Sequence, residues 1–161
     1  MSRLDLFIDR MLSQRACIDH AAQRIAGTPG PVLELGLGNG RTYHHLRERL
    51  PQREIHVFDR EIASHPDSTP PDSLMELGDF TETLPAFLAR RGPVAALIHA
   101  DMGGHNAEKN VAFARRISPL IEPLLASGGL IVSSDRMFFT TLDEEPLPPG
   151  AVDGRCFIYR R

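Results

Sequence analysis

Apolar residues near the start of the chain fall at Leu4, Phe7, Ile8, Met11, Ile18, Ala22 and Ile25. Steps of three, four and seven trace one stripe along a helix. Ser2 stands where such a helix would begin and Gly27 where it would end. Thr28-Pro29-Gly30-Pro31 reads as a turn. Beyond it the period changes. Val32-Leu33-Glu34-Leu35 predicts a short strand that leads into Gly36, Gly38 and Gly40. A helix follows over about 41–50, ended by Pro51. Glu54–Asp59 predicts a second strand, Pro66, Pro70 and Pro71 demand a loop, and Leu74–Leu77 predicts a third strand. Asp79–Arg90 reads as a helix whose first part Pro85 should limit. Pro93–Ala100 is the continuous apolar run of a strand buried on both faces. Helical periodicity returns over about 106–126, interrupted near Pro119 and Pro123. Gly128-Gly129 turns into a fifth strand, Leu130–Ser134. A proline-rich loop through Gly150 precedes a last strand, Arg155–Arg160.

Strand and helix alternate through five strands, which predicts an α/β fold. The expected architecture is Rossmann-like and doubly wound, a mostly parallel sheet with helices on both faces. No useful helix precedes the last strand, so it should join antiparallel, at an edge or next to one. With 161 residues and no repeat, the chain reads as a single domain, 1–161.

Composition narrows the classes. Hydrophobic residues make up 42% and charged residues 24%, as in a folded globular protein rather than a disordered one. A net charge of −3 offers no positive field for nucleic acid or an anionic membrane. No run approaches the ~18 apolar residues of a membrane span. Met1-Ser2-Arg3-Leu4-Asp5 is charged from the outset, unlike a signal peptide. Cys17 and Cys156 have neither metal-site nor redox-motif spacing. A disulfide would require the fold to bring the chain ends together. The expectation is a cytoplasmic protein with reduced thiols.

Ligands of doubly wound sheets sit beyond the carboxyl ends of the strands, where strand order reverses. The first strand ends there in glycines, whose missing Cβ atoms permit a sharp turn and close approach of a ligand. Glu34–Gly40 reads E-x-G-x-G-x-G. Dinucleotide folds show G-x-G-x-x-G, and Arg41 takes the place of the third glycine. Asp59 ends the second strand, 19 residues past Gly40, where a carboxylate can accept both ribose hydroxyls. A solvated Asp59 paired with Arg60 is the alternative. Gly78-Asp79-Phe80 follows the third strand. Phe80 offers a purine an apolar face, while Asp79 equally suits a helix N-cap. Ser127-Gly128-Gly129-Leu130-Ile131-Val132 leads into the fifth strand.

Together these motifs resemble the class I S-adenosylmethionine-dependent methyltransferases, over roughly residues 30–135. The resemblance implies S-adenosylmethionine as cofactor. It implies Glu34 near the cofactor's amino end, with Gly36, Gly38, Asn39 and Gly40 beneath it. Asp59 and Arg60 would meet the ribose, and Gly78, Asp79 and Phe80 the adenine. His99, Ala100, Asp101 and Met102 would lie beside the methyl group, with Asp101 and His99 as candidate bases. An N-terminal helix, within residues 1–28, would cover the site. Gln14 and Arg15 lie off its apolar stripe, and Arg15 is a candidate for the cofactor's carboxylate.

The acceptor is less defined. The loop Ala100–His105 lacks the Asn/Asp-Pro-Pro-aromatic sequence of enzymes that methylate exocyclic amines of bases, and the cysteine of cytosine-C5 enzymes. A His99/Asp101/Asp135 cluster could hold a divalent ion, but a base or substrate-orienting pair is the simpler reading, and no metal is expected. The expected activity is methylation of a small acceptor. The alternative is a non-catalytic cofactor-binding protein or partner subunit. The glycine spacing and the lack of a Tyr-x-x-x-Lys pair disfavour a nicotinamide-dependent reductase. Phe138 and Phe139, just past the fifth strand, suggest either a homo-oligomer contact, simplest as a two-fold dimer, or a cluster under the proline-rich loop.

Overall fold

The computed structural model describes residues 1–161. Helix α1 spans Arg3–Arg24. The Asp5 N–H donates to the Ser2 hydroxyl at 3.0 Å, and the Ser2 N–H donates to the Asp5 carboxylate at 2.8 Å. This reciprocal cap satisfies amide donors that the first turn leaves free. The buried side of α1 is Ser13, Gln14, Cys17, Ile18 and Ala21. The expected stripe therefore holds only in the second half of the helix. Leu4, Phe7 and Ile8 are 65%, 48% and 43% exposed, because this half projects past the carboxyl ends of the strands.

The strands are β1 (Val32–Leu35), β2 (Ile55–Asp59), β3 (Met75–Leu77), β4 (Ala95–Ala100), β5 (Leu125–Ser133), β6 (Asp143–Glu145) and β7 (Phe157–Arg160). They form one sheet in the order β3-β2-β1-β4-β5-β7-β6. The first five run parallel, β7 lies antiparallel to β5, and β6 lies antiparallel to β7. Helices α2 (Arg41–Arg49), α3 (Phe80–Arg91) and α4 (Ala107–Ile121) complete the fold. Alternate strand residues face opposite ways. Leu33, Phe58, Ile98 and Ile131 pack with Phe87 of α3 and Ile117 of α4. Val32, Val57, Leu97 and Val132 pack with Ile18 of α1 and Leu46 of α2. Two helices thus cover each face, as the alternation of strands and helices predicts.

Several boundaries differ from expectation. Helix α3 runs through Pro85 and α4 through Pro119. The last expected turn of the latter is instead a tight 3-10 turn, Glu122–Leu124, which holds Pro123 near its start, where a missing N–H leaves no bond unmade. Strand β5 begins at Leu125, and Gly128-Gly129 lies inside it. Its register against β4 slips between Ala95 and Leu97, so the extra residues are absorbed as a bulge. Strand β6 was not expected, since Asp143-Glu144-Glu145 has no apolar alternation, yet such charges suit a sheet edge. Phe138 and Phe139 are half-buried against their own chain. The Arg115 guanidinium stacks 3.9 Å over Phe138, and Phe139 meets Tyr159 edge-on at 4.9 Å between ring centres.

The fold does bring the two ends of the chain together. The Val152 N–H donates to the Ser13 hydroxyl at 2.9 Å. Arg24 pairs with Glu145 at 2.6 Å. Cys17 and Cys156 are buried, unbonded thiols that face each other.

Candidate active site

Strand order reverses between β1 and β4, so their exits diverge and leave a crevice. The first half of α1 roofs it. The cavity beneath is about 210 Å³, bounded by Phe7, Arg10 and Gln14 of α1, the loop Gly36–Asn39, and Asp101. A larger groove, about 710 Å³, lies around Pro29, Gln52 and Arg91, at the amino ends of the strands, where open α/β sheets do not hold ligands.

The floor of the crevice is a glycine loop. Gly36 has φ +93°, and a Cβ there would overlap the Asp101 carbonyl oxygen, so β1 and β4 can meet this closely only at glycine. Gly38 has φ +51° with nothing within 4 Å of where a Cβ would stand, which leaves the surface above the loop open. Asp59 braces this loop from β2. Its carboxylate accepts from the Leu37 N–H at 2.7 Å, the Gly38 N–H at 3.3 Å and the Arg60 N–H at 2.6 Å.

Behind the crevice runs a chain of polar side chains. Glu34 and His99 are register partners on β1 and β4, and both are fully buried. His99 Nδ1 lies 2.7 Å from Glu34 Oε2. The Thr42 hydroxyl, in the first turn of α2, donates to the other Glu34 oxygen. His99 Nε2 lies 3.4 Å from the Gln14 amide nitrogen, which donates to Asp101 at 2.9 Å. Arg10 and the Ser134 hydroxyl also donate to Asp101, at 2.6 and 2.7 Å. Burial draws the His99 pKa down, but the charge and hydrogen bond of Glu34 outweigh it and leave it above the ordinary value. Burial would raise the Asp101 pKa. The His99 charge, the Gln14 hydrogen bond, the Arg10 charge and the Ser134 hydrogen bond together hold it below the usual carboxylate range.

These placements change several expected roles. His99 has no exposed surface, and Glu34 occupies its Nδ1, so the imidazole stands behind the crevice rather than within reach of an acceptor. Glu34 is equally closed off, with one oxygen on the Thr42 hydroxyl and the other on His99. Asp101 does face the cavity, but as a carboxylate tied to three donors. Ala100 is buried, and its carbonyl accepts from the Ser134 N–H at 3.1 Å. Arg15 lies on the outside of α1, in a groove with Asp19 and Pro148. Arg10 reaches the crevice in its stead, because positions 10 and 14 share a helix face while position 15 is turned about 100° away.

At the exits of β2 and β3, Asp79 caps α3 by accepting from the Thr81 N–H at 2.9 Å and the Thr81 hydroxyl at 2.7 Å. It also pairs with Arg60 at 2.5 Å. The Thr81 hydroxyl and N–H, then Arg60, bring the Asp79 pKa down to about 2. The Gly78 N–H donates to the Asp59 carbonyl at 3.0 Å. The Phe80 ring packs toward Phe113 of α4, 6.3 Å between centres. Arg10 and Thr42 carry no signal in the sequence pattern, and Gln14, expected off the apolar stripe, is instead buried against Asp101. No group of three or more His, Cys, Asp or Glu side chains is arranged to hold a metal ion.

A doubly wound sheet of this order, with a glycine loop at its switch point and acidic residues after β2 and β3, is the architecture of class I methyltransferases. A family model described as S-adenosyl-L-methionine methyltransferase matches residues 1–161, and the chain belongs to that family. Its cofactor is S-adenosylmethionine, and it is a methyltransferase. It is 70% identical to an S-adenosyl-L-methionine methyl transferase from Silicibacter pomeroyi DSS-3 solved by crystallography. The likeness covers 100% of this chain and 99% of that one, with a TM-score of 0.98. The MycE methyltransferase of the mycinamycin pathway, solved with Mg and SAH, is 16% identical over 89% of this chain and 44% of that one. Its TM-score of 0.56 marks a shared fold. No curated protein matches the chain.

Proposed function

We propose that S-adenosylmethionine lies in the cavity between α1 and the Gly36–Gly40 loop, and that the methyl acceptor is a small polar molecule. The acceptor enters between α1 and the exits of β4 and β5. The cavity itself carries this reading: it sits at the switch point, over a glycine floor, with a charged pair at one end. The cofactor supplies a methyl group on a positively charged sulfur, an electrophile that needs alignment more than activation. Arg10, Gln14 and Asp101 suit the charged amino-acid end of such a molecule. Asp59, Arg60, Asp79 and Phe80 suit its ribose and purine, and Asp59, with three N–H groups already on it, keeps one lone-pair site for a hydroxyl. Residues 1–161 work as one unit in this reading, with α1 as the roof.

The two buried free thiols favour a reducing, cytoplasmic setting. No helix is long and apolar enough to cross a membrane. With Phe138 and Phe139 half-buried against their own chain, the more exposed apolar surface for self-association lies on α1. Leu4, Phe7, Ile8 and Leu12 stand exposed on α1, and Phe7 also lines the cavity, which a second copy would close further. Light scattering over a tenfold dilution reads this. A mass that stays at 17.8 kDa leaves α1 as the roof by itself.

Calorimetry with S-adenosylhomocysteine and with NADH tests the cofactor site. Binding of the first alone is expected, and binding of NADH alone would overturn the reading. Competition by S-adenosylhomocysteine in an Arg10→Ala background, unchanged from wild type, would move the site away from α1.

A further inference from the structure

Past the Arg10–Asp101 pair a second cavity opens, about 180 Å³, walled by Gly103, Asn110, Asp135 and Arg155 and by no hydrophobic residue. Arg10 lines both cavities, so the two adjoin across one side chain. The second cavity presents two under-used charges of opposite sign. Asp135, just beyond β5, receives one long side-chain hydrogen bond, from the Asn110 amide at 3.4 Å. Arg155 pairs with no carboxylate of the chain, whereas Arg10, Arg60 and Arg136 each do. A Cβ on Gly103 would overlap the Asp135 carboxylate and crowd the Asn110 amide, so bare backbone walls this side.

Resting on the methyl-transfer reading above, we propose that this cavity holds the acceptor, and that the acceptor is a small amino acid with its carboxylate on Arg155 and its amine on Asp135. Size and chemistry both argue for it. The space, about 180 Å³, is of a size for a small amino acid. A guanidinium offers a forked set of donors that fits a carboxylate. An ionised carboxylate such as Asp135 only accepts, and an ammonium brings three donors and the opposite charge. Burial of Asp135, with the Asp101 charge nearby, raises its pKa above the ordinary value, against the opposing Asn110 hydrogen bond and Arg10 charge. A carboxylate so placed takes up a proton more readily than a solvated one.

The proton and electron balance is simple. The bound ammonium gives one proton to Asp135. The freed nitrogen lone pair forms the new bond to the methyl carbon, whose former bond pair stays on sulfur and cancels its charge. The product leaves as a secondary ammonium, and Asp135 returns its proton to solvent.

The test is calorimetry of the S-adenosylhomocysteine-saturated enzyme with glycine, L-alanine and L-serine, beside L-lactate and L-alaninamide. Mass spectrometry of the same amino acids incubated with S-adenosylmethionine then looks for an added methyl group. At least one of the three amino acids should bind and be methylated on nitrogen. Lactate and alaninamide, each lacking one charged contact, should bind about tenfold more weakly or worse. Arg155→Ala should weaken the amino acid by about tenfold or more while S-adenosylhomocysteine affinity stays within about twofold, which also reports an intact fold. If S-adenosylhomocysteine binds and none of the three amino acids does, or if Arg155→Ala leaves their affinity unchanged, the inference is overturned and the cofactor site stands. If S-adenosylhomocysteine does not bind, the cofactor reading beneath it fails as well.

Discussion

His99 and Glu34 face each other across neighbouring strands, 2.7 Å apart, with neither side chain reaching solvent. Because they are register partners, the pair acts as a rung that joins β1 to β4 at the switch point. Removing one member of a buried pair strands the other, at a cost of about 3–5 kcal/mol. Glu34→Gln is therefore expected to lower the unfolding free energy by that order, measured in urea at pH 6.

The same pair sets a pH dependence. The folded His99 pKa lies above its ordinary 6.5, so the folded state binds the proton more tightly than the unfolded chain. That stabilisation is complete below the ordinary value and is lost as pH rises through the folded one. Wild-type stability should fall as pH climbs from 6.5, and Glu34→Gln should flatten the slope. An equal slope in both proteins would detach it from His99.

Much of this arrangement was legible in the sequence, and the exceptions have physical causes. The parallel, doubly wound architecture follows from alternation, and the glycine loop marks the exit of β1, where the structure puts the switch point. Gln14 was read as outward-facing because Leu4, Phe7 and Ile8 pulled the apparent stripe toward themselves. Those residues lie past the sheet and do not report its phase. The buried arc is set by Cys17, Ile18 and Ala21, and Gln14 stands three and four residues before the first two, on their side. Burial of His99 was foreshadowed by its position inside the most apolar strand. Its partner could be named only once β1 and β4 were known to be neighbours in register. Strand β6 carries three acidic residues and no periodic signal, so only its pairing with β7 reveals it.

Asp101 links α1 to the sheet through Arg10 and Gln14. Replacing the carboxylate by an amide weakens the roof and the cavity together. Asp101→Asn should reduce S-adenosylhomocysteine affinity and turnover alike, by about 1–3 kcal/mol each. A loss confined to turnover would instead give Asp101 a direct part in proton transfer.

Asp59 has two expected tasks, bracing the glycine loop and gripping ribose. Asp59→Ala abolishes both and should cost about 2–4 kcal/mol of S-adenosylhomocysteine affinity. Asp59→Asn retains an oxygen that can accept the Leu37 N–H. It should keep the melting temperature of the free enzyme closer to wild type than the alanine variant does. Identical melting curves for the two variants would mean that the brace contributes nothing.

Gly36 and Gly27 make a matched comparison. Gly36→Ala forces a side chain into a positive φ and against the Asp101 carbonyl, and should destabilise by about 2–5 kcal/mol. Gly27 has open space around it, so Gly27→Ala should stay within about 1 kcal/mol of wild type, on the stabilising side. Chemical denaturation of the two variants reads the difference.

The tie between the ends of the chain has a consequence for biosynthesis. Strand β7 lies between β5 and β6, although it is the last of the three to be made. A ribosome adds about 5–20 residues per second, so the far edge of β5 stays unpaired for about 1–5 seconds after that strand emerges. An open strand edge is a template for unwanted pairing, and a nascent chain in this interval is at its most aggregation-prone. The helix over the crevice also waits, since Ser13 receives its bond from Val152 and Cys17 its neighbour Cys156 only once the residues beyond β6 are made. The roof of the crevice is thus made before the sheet it covers and fixed in place after it.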